Sequence, residues 1–76
     1  MASNKAHPKF VVCIQSGEAG DLEARKIYQS LPDEDAARVG YVRIIDESGE
    51  DYLYPAKWFL PITLTDTVEK ALLAQP

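Results

Sequence analysis

Residues 41–55, YVRIIDESGEDYLYP, constrain the fold of this chain more than any other segment. Two runs rich in β-branched and aromatic residues, 41–46 and 51–55, flank a short polar segment that contains Gly49. Alternating runs separated by a glycine-containing turn are the pattern of a β-hairpin. The sequence therefore predicts two antiparallel strands here, and a fold in which β structure dominates.

The length of the hairpin loop decides which side chains face the core, because a shift of one residue turns every side chain to the opposite face. If Ser48 and Gly49 form a two-residue turn, Tyr52 and Tyr54 face outward. If residues 47–49 form a three-residue loop, both tyrosines belong to the rim of the core. We favour the three-residue loop because its last position requires a left-handed residue, and Gly49 stands there.

Four carboxylates crowd the predicted hairpin tip: Asp46, Glu47, Glu50 and Asp51. We interpret them as a solvated tip. They lack the alternating ligand spacing of a calcium loop, so we expect no metal site.

The rest of the chain is predicted to form short strands and helices. We predict strands at 9–15, 26–31 and 59–62, a helical turn within 32–38, and a terminal helix that begins at Thr65 or Asp66. LEARKIYQSL also suits a helix by propensity, and its short length favours the strand. The predicted fold class is all-β: a small five-stranded barrel over 9–63, with a disordered tail at 1–8 and a short C-terminal helix within 64–76.

Composition excludes several function classes. The chain has 76 residues and a formal net charge of −4, and its eight basic residues are scattered, which argues against a nucleic-acid partner. Cys13 is the only cysteine, so no intrachain disulfide can form. The apolar run FVVCI is too short for a signal-peptide core or a membrane span. We expect a soluble, cytoplasmic protein without a membrane partner.

No constellation of residues points to catalysis. His7 is the only histidine and falls in the predicted tail, where no fixed base can be built. Cys13 lies in an apolar strand without a histidine partner, so we expect a small buried side chain. The segment SGEAG lacks the lysine of a phosphate loop. We expect no catalytic residue, no cofactor and no enzymatic activity.

The segment DYLYPAKWFLPI resembles the last two strands of a Src-homology-3 (SH3) domain. Upstream, GYVRI is similar to that family's glycine and ligand-contacting tryptophan, with Tyr41 at the tryptophan position. LEARKIYQSL resembles the segment that leads into the second strand, so the likeness covers about residues 22–62. KFVVCIQS lacks the family's opening tyrosine motif, and Lys57 replaces the usual asparagine. The chain also resembles short uncharacterised bacterial proteins that carry a version of DESGEDYLYPA.

The Src-homology-3 resemblance implies an SH3-like barrel with a peptide groove. Tyr41, Pro55 and Trp58 would form an aromatic-proline groove for a left-handed polyproline segment, with Tyr54 beside it. Three acids on the loop before the second strand would receive a basic residue of the ligand: Glu18, Asp21 and Glu23. The competing interpretation is that Trp58 covers the end of the barrel and the acids are merely solvated.

The functional prediction is a non-catalytic module that binds a protein or peptide, and the resemblance suggests a proline-rich one. A structural or assembly component is the alternative, in which the helix stripe of Val68 and Leu72 forms a homodimer or docks on a larger complex. A third interpretation, an acidic mimic of nucleic acid, requires the acids to gather on one face. The oligomeric state is left open.

Overall fold

The computed structural model describes residues 10–74, which form one antiparallel sheet, two short helices and a 3₁₀ turn. In chain order the elements are β1 (Phe10–Cys13), β2 (Ile27–Leu31), α1 (Glu34–Arg38), β3 (Tyr41–Ile45), β4 (Asp51–Pro55), the 3₁₀ turn (Ala56–Trp58), β5 (Phe59–Ile62) and α2 (Asp66–Leu73). The predicted five strands and C-terminal helix are confirmed. The predicted tail at 1–8 lies outside the described residues.

The strands pair in the order β4-β3-β2-β1-β5, and every pairing is antiparallel. Within residues 10–74, β4 and β5 are the two free edges, and no pairing joins them. The structure therefore shows an open five-stranded sheet, and closure into a barrel stays a prediction.

The β3–β4 hairpin adopts the favoured register. Ile44 lies opposite Tyr52 and Val42 lies opposite Tyr54. Gly49 has a φ of 86°, the left-handed conformation that the last position of the loop requires. The predicted three-residue loop is confirmed, and it fixes the face on which each hairpin side chain lies.

The sheet has two unlike faces, which we call the core face and the helix face. The core face carries the main apolar cluster, made of Val11, Cys13, Leu22, Tyr28, Ile44 and Phe59, with Ala19, Val42, Tyr54 and Trp58 packed against it. Cys13 is fully buried there, as predicted. Alternation along the strands places Phe10, Gln29 and Ile45 on the helix face. The main cluster therefore lies on the core face, whereas Phe10 and Ala36 are buried outside it.

Both helices begin at the residues that their sequences indicate. The Asp33 side chain accepts a hydrogen bond from the backbone N–H of Ala36 and caps α1, and the Thr65 hydroxyl accepts one from Val68 and caps α2. Arg43 on β3 pairs with Asp33, which ties α1 to the helix face. None of the helices in residues 10–74 has the length and apolar character needed to cross a membrane.

Candidate functional site

The long connection between β1 and β2, residues 14–26, is the acidic loop, which carries Glu18, Asp21 and Glu23. Its fully buried apolar anchor is Leu22, which is 4 % exposed and lies in the main cluster, and Ala19 packs against the same cluster. Two backbone hydrogen bonds hold the loop to the sheet: Arg25 N–H donates to the Cys13 carbonyl at 2.6 Å, and Glu47 N–H donates to the Asp21 carbonyl at 2.9 Å. The loop is therefore fixed over the core face although it has no regular structure.

A polar network centred on Glu47 holds the second half of the acidic loop. Tyr28 Oη donates to Glu47 Oε2 at 2.7 Å and accepts from the backbone N–H of Glu23 at 2.8 Å. Lys26 Nζ lies 2.8 Å from the same Glu47 oxygen. The hydrogen bonds from Lys26 and Tyr28 lower the pKa of Glu47, and burial followed by the bond to Glu47 raises the pKa of Tyr28.

Asp46 is buried at the end of β3, so its predicted place on a solvated tip was wrong. It is 5 % exposed, and its carboxylate accepts hydrogen bonds from Tyr54 Oη at 2.6 Å, Ser48 Oγ at 2.5 Å and Ser48 N–H at 3.0 Å. The physical reason is alternation along the strand, which places Asp46 on the core face two residues after Ile44, while the three-residue register places its donor Tyr54 on that same face. Burial pushes the pKa of Asp46 upward, but the bonds from Ser48 and Tyr54 outweigh it and lower that pKa.

Trp58 lies directly beneath the acidic loop. Its ring is half-buried, and its centroid is 6.3 Å from that of Tyr54. A Cβ atom placed on Gly17 would come within 2.8 Å of Trp58 Cη2, and Gly17 has a φ of 56°. The backbone at Gly17 therefore rests on the indole ring at a distance that only glycine allows. This contact rests the backbone of the acidic loop on Trp58 one residue before Glu18.

Tyr41 and Pro55 face each other across β3 and β4, and Tyr41 is 43 % exposed. Alternation places both on the helix face, opposite Tyr54. The 3₁₀ turn stays close to them because Ala56 N–H donates to the Gly40 carbonyl at 2.9 Å. The predicted groove residues thus share one end of the hairpin but divide between its two faces.

Among residues 10–74, the rings recorded in contact are Tyr54 with Trp58 and Tyr54 with Phe59. Tyr41 does not join them. The structure therefore brings together Tyr54, Trp58 and the acidic loop, a group that we call the acidic aromatic surface, and leaves Tyr41 with Pro55 beside it. Glu18, Asp21 and Glu23 are all exposed.

Tyr52 belongs to the acidic aromatic surface, although sequence reasoning did not include it. It is 50 % exposed and shares a face with Tyr54, two residues along β4. Its hydroxyl donates to Glu50 at 3.1 Å, which raises the pKa of Tyr52, and the nearby Asp46 and Asp21 charges raise it further. Burial and Asp46 raise the pKa of Tyr54 in the same direction, and Asp21 adds to the effect. The three-residue register predicted from the sequence could have identified Tyr52, because it already paired both tyrosines with residues of the core face.

Exposed carboxylates beside aromatic rings are groups that could attract a positively charged ligand. Aromatic rings attract cations through their negative faces, and carboxylates at the rim strengthen that attraction. Within the described part of the chain, no group of three His, Cys, Asp or Glu side chains is arranged to hold a metal ion.

Comparisons with known proteins add no relative: no protein-family model, no curated protein and no solved structure matches the chain significantly.

Proposed function

We propose that the protein is a non-catalytic interaction module whose acidic aromatic surface binds a protein or peptide segment. The observation that carries this proposal is the approach of Gly17 to Trp58, which rests the acidic loop on the indole ring. The charge of Asp21, in the same loop, acts on Tyr52 and Tyr54 of the hairpin. A site whose parts are held in place before binding loses little conformational freedom when the ligand arrives.

The ligand that this surface suits best is a basic, proline-rich peptide. Exposed Glu18 and Asp21 offer charge to a lysine or arginine, and the rings of Tyr52 and Trp58 offer flat apolar area. A polyproline segment is already extended, so it packs on aromatic rings at low entropic cost. The resemblance of DYLYPAKWFLPI to Src-homology-3 strands supports the same ligand class.

An SH3-like barrel is the finer fold that this proposal includes. Consecutive antiparallel strands support it, and so does the 3₁₀ turn at Ala56–Trp58, which falls within the residues that carry the resemblance. Closure would require the free edges of β4 and β5 to approach each other.

The test uses Trp58 as its own probe, because it is the only tryptophan. An array of proline-rich peptides, each made with a terminal arginine or with alanine in its place, is titrated while tryptophan fluorescence and binding heat are recorded. We expect saturable binding of the arginine peptides. The double variant Glu18→Gln, Asp21→Asn should weaken binding about tenfold, since two charged contacts are lost.

The matched control is Leu60→Ala, a truncation of an exposed side chain on β5. This control should bind the peptides as the wild type does. Trp58→Ala should abolish the binding heat. Binding heat that is equal for arginine and alanine peptides, or absent for all of them, would refute the proposal.

A further inference from the structure

We infer that residues 5–9 of the chain itself, KAHPK, dock in cis on the acidic aromatic surface and compete there with an external ligand. We call these residues the basic segment. The inference rests on the proposed function, because it concerns the same surface, and it adds a regulator that the chain itself carries.

The basic segment has the opposite charge to the rest of the chain. Lys5 and Lys9 are the only charged residues among residues 1–9, which therefore carry a formal charge of +2. The whole chain carries −4, so residues 10–76 carry −6, which is −4 minus +2. An acidic surface attracts a basic segment over a distance of about one Debye length. The charge pattern therefore favours docking of the segment on the acids of the same protein.

The basic segment also belongs to the ligand class proposed for the surface. That class combines proline with a positive side chain, and in the segment Pro8 stands directly before Lys9 and three residues after Lys5. Proline restricts the free chain, so a segment that contains it loses less conformational entropy on docking. The chain therefore carries a basic, proline-containing sequence of its own.

Two carboxylates of the acidic loop are free to receive two lysines. Glu18 and Asp21 are exposed, and the ion pairs within residues 10–74 are made by other acids. Glu47, for example, is paired with Lys26. Asp21 lies near enough to the aromatic rings for its charge to act on Tyr52. The surface thus offers uncompensated negative charge beside a ring on which an apolar segment can pack.

The basic segment is long enough to reach the surface. It joins β1 at Phe10, and the strand registers place Phe10 in line with Gln29, Ile45 and Asp51 on the next three strands. Strand β4 is therefore three strand spacings away, or about 14 Å. Five extended residues span about 17 Å, so Lys5 can reach the β4 side of the surface without help from another copy.

Paramagnetic relaxation in the full chain tests the docking itself. A nitroxide label attaches to the thiol of Ser3→Cys, whereas Cys13 is fully buried and stays unlabelled. We expect the label to relax the amide of Asp21 more strongly in the wild-type background than in Lys5→Gln, Lys9→Gln, because the variant loses both charges of the segment. Equal relaxation in the two backgrounds would overturn the inference.

The matched control is Arg38→Gln, Lys70→Gln, which makes the same change of net charge at exposed side chains outside the surface. Its relaxation should equal that of the wild-type background. A mixture of spin-labelled chains with isotope-labelled chains that carry no spin label reports docking between copies. Relaxation in this mixture as strong as within one chain would overturn docking in cis.

Peptide titration tests the competition and separates it from the proposed function. Lys5→Gln, Lys9→Gln should bind the arginine peptides about tenfold more tightly than the wild type, because the segment no longer occupies the surface. Equal affinities would overturn the inference and leave the proposed function standing. If neither protein binds any peptide, the proposed function fails, and the relaxation of Asp21 decides whether the basic segment docks.

Discussion

The acidic loop and α2 cover opposite faces of the same sheet, yet they are held in very different ways. The loop has no regular structure, but Leu22 anchors it in the main cluster, and backbone bonds tie it to β1 and to the loop between β3 and β4. Helix α2 satisfies its own backbone, but none of its residues is buried. We infer that the buried anchor and the bonds to β1 and the hairpin hold the acidic loop more firmly than α2 is held.

The contrast bears on the proposed function. A loop that is fixed before a ligand arrives would keep the geometry of the acidic aromatic surface and so favour recognition without rearrangement. Helix α2 lacks such an anchor, since none of its residues is buried.

Truncation of Leu22, the anchor of the acidic loop, should lower the stability of the fold more than any other change considered. Leu22→Ala removes a side chain that is 4 % exposed in the main cluster, and we expect the free energy of unfolding to fall by about 2–4 kcal/mol. Urea denaturation followed by circular dichroism measures this change. A loss below about 1 kcal/mol would mean that the loop does not depend on its anchor.

Crowding at the contact with Trp58 should have the next largest effect. Gly17→Ala places a methyl group 2.8 Å from Trp58 Cη2 and also strains a left-handed backbone, so we expect a loss of about 2–3 kcal/mol and a red-shifted tryptophan emission.

The matched control is Gly49→Ala. It has the same backbone strain, because its φ is 86°, but open space around its Cβ, so about 1 kcal/mol should be lost with the emission unchanged. Equal emission spectra for the two variants would show that the loop does not press on the indole.

Acid should loosen the polar bonds that hold the loop and the hairpin tip. The pKa values of Asp46 and Glu47 are lowered in the folded state, so their stabilisation is present at neutral pH and is lost as the pH falls through about 4 and below. We expect the urea midpoint of the wild type to drop between pH 7 and pH 3. Asp46→Asn should cost about 1–2 kcal/mol at pH 7, because Tyr54 and Ser48 lose a charged acceptor.

The double variant Asp46→Asn, Glu47→Gln sharpens the acid test. Its urea midpoint should start lower at pH 7 and fall less on acidification than that of the wild type. Glu34→Gln, which changes an exposed acid of α1 outside the network, is the control and should behave as the wild type. If the urea midpoint of the double variant fell on acidification as much as that of the wild type, Asp46 and Glu47 would not be the cause of the acid sensitivity.

Truncation of the helix stripe should have the smallest effect on the isolated monomer. Leu72 is 37 % exposed, so Leu72→Ala should cost at most about 1 kcal/mol at concentrations where the wild type is monomeric. Denaturation of the dilute protein measures it. If Leu72→Ala lowered the free energy of unfolding as much as Leu22→Ala does, the acidic loop and α2 would not be held differently.

Much of the sheet was predictable from local chemistry. The hairpin register follows from Gly49, because a bulged three-residue loop needs a left-handed residue at its end. The strand at Ile27–Leu31 was predicted from its short length, against a helix-like propensity. The start of α2 follows from the hydroxyl of Thr65. Each of these features depends on residues close together in the sequence.

The site was less predictable, because it is built from contacts distant in sequence. Leu22 stands alone in a polar loop, so no apolar period marks it as an anchor. The contact between Gly17 and Trp58 joins residues far apart along the chain. Asp46 was predictable in principle, since the favoured register already placed it on the core face, but its position within an acidic cluster led to the wrong interpretation.

Amide hydrogen exchange tests the central contrast most directly. In the dilute protein, we predict that the N–H groups of Arg25 and Glu47, which bond to Cys13 and Asp21, exchange nearly as slowly as the strand amides. The amides of Glu69 and Ala74, whose hydrogen bonds lie within a helix that has no buried residue, should exchange much faster. Protection of these amides equal to that of the loop amides would contradict the account.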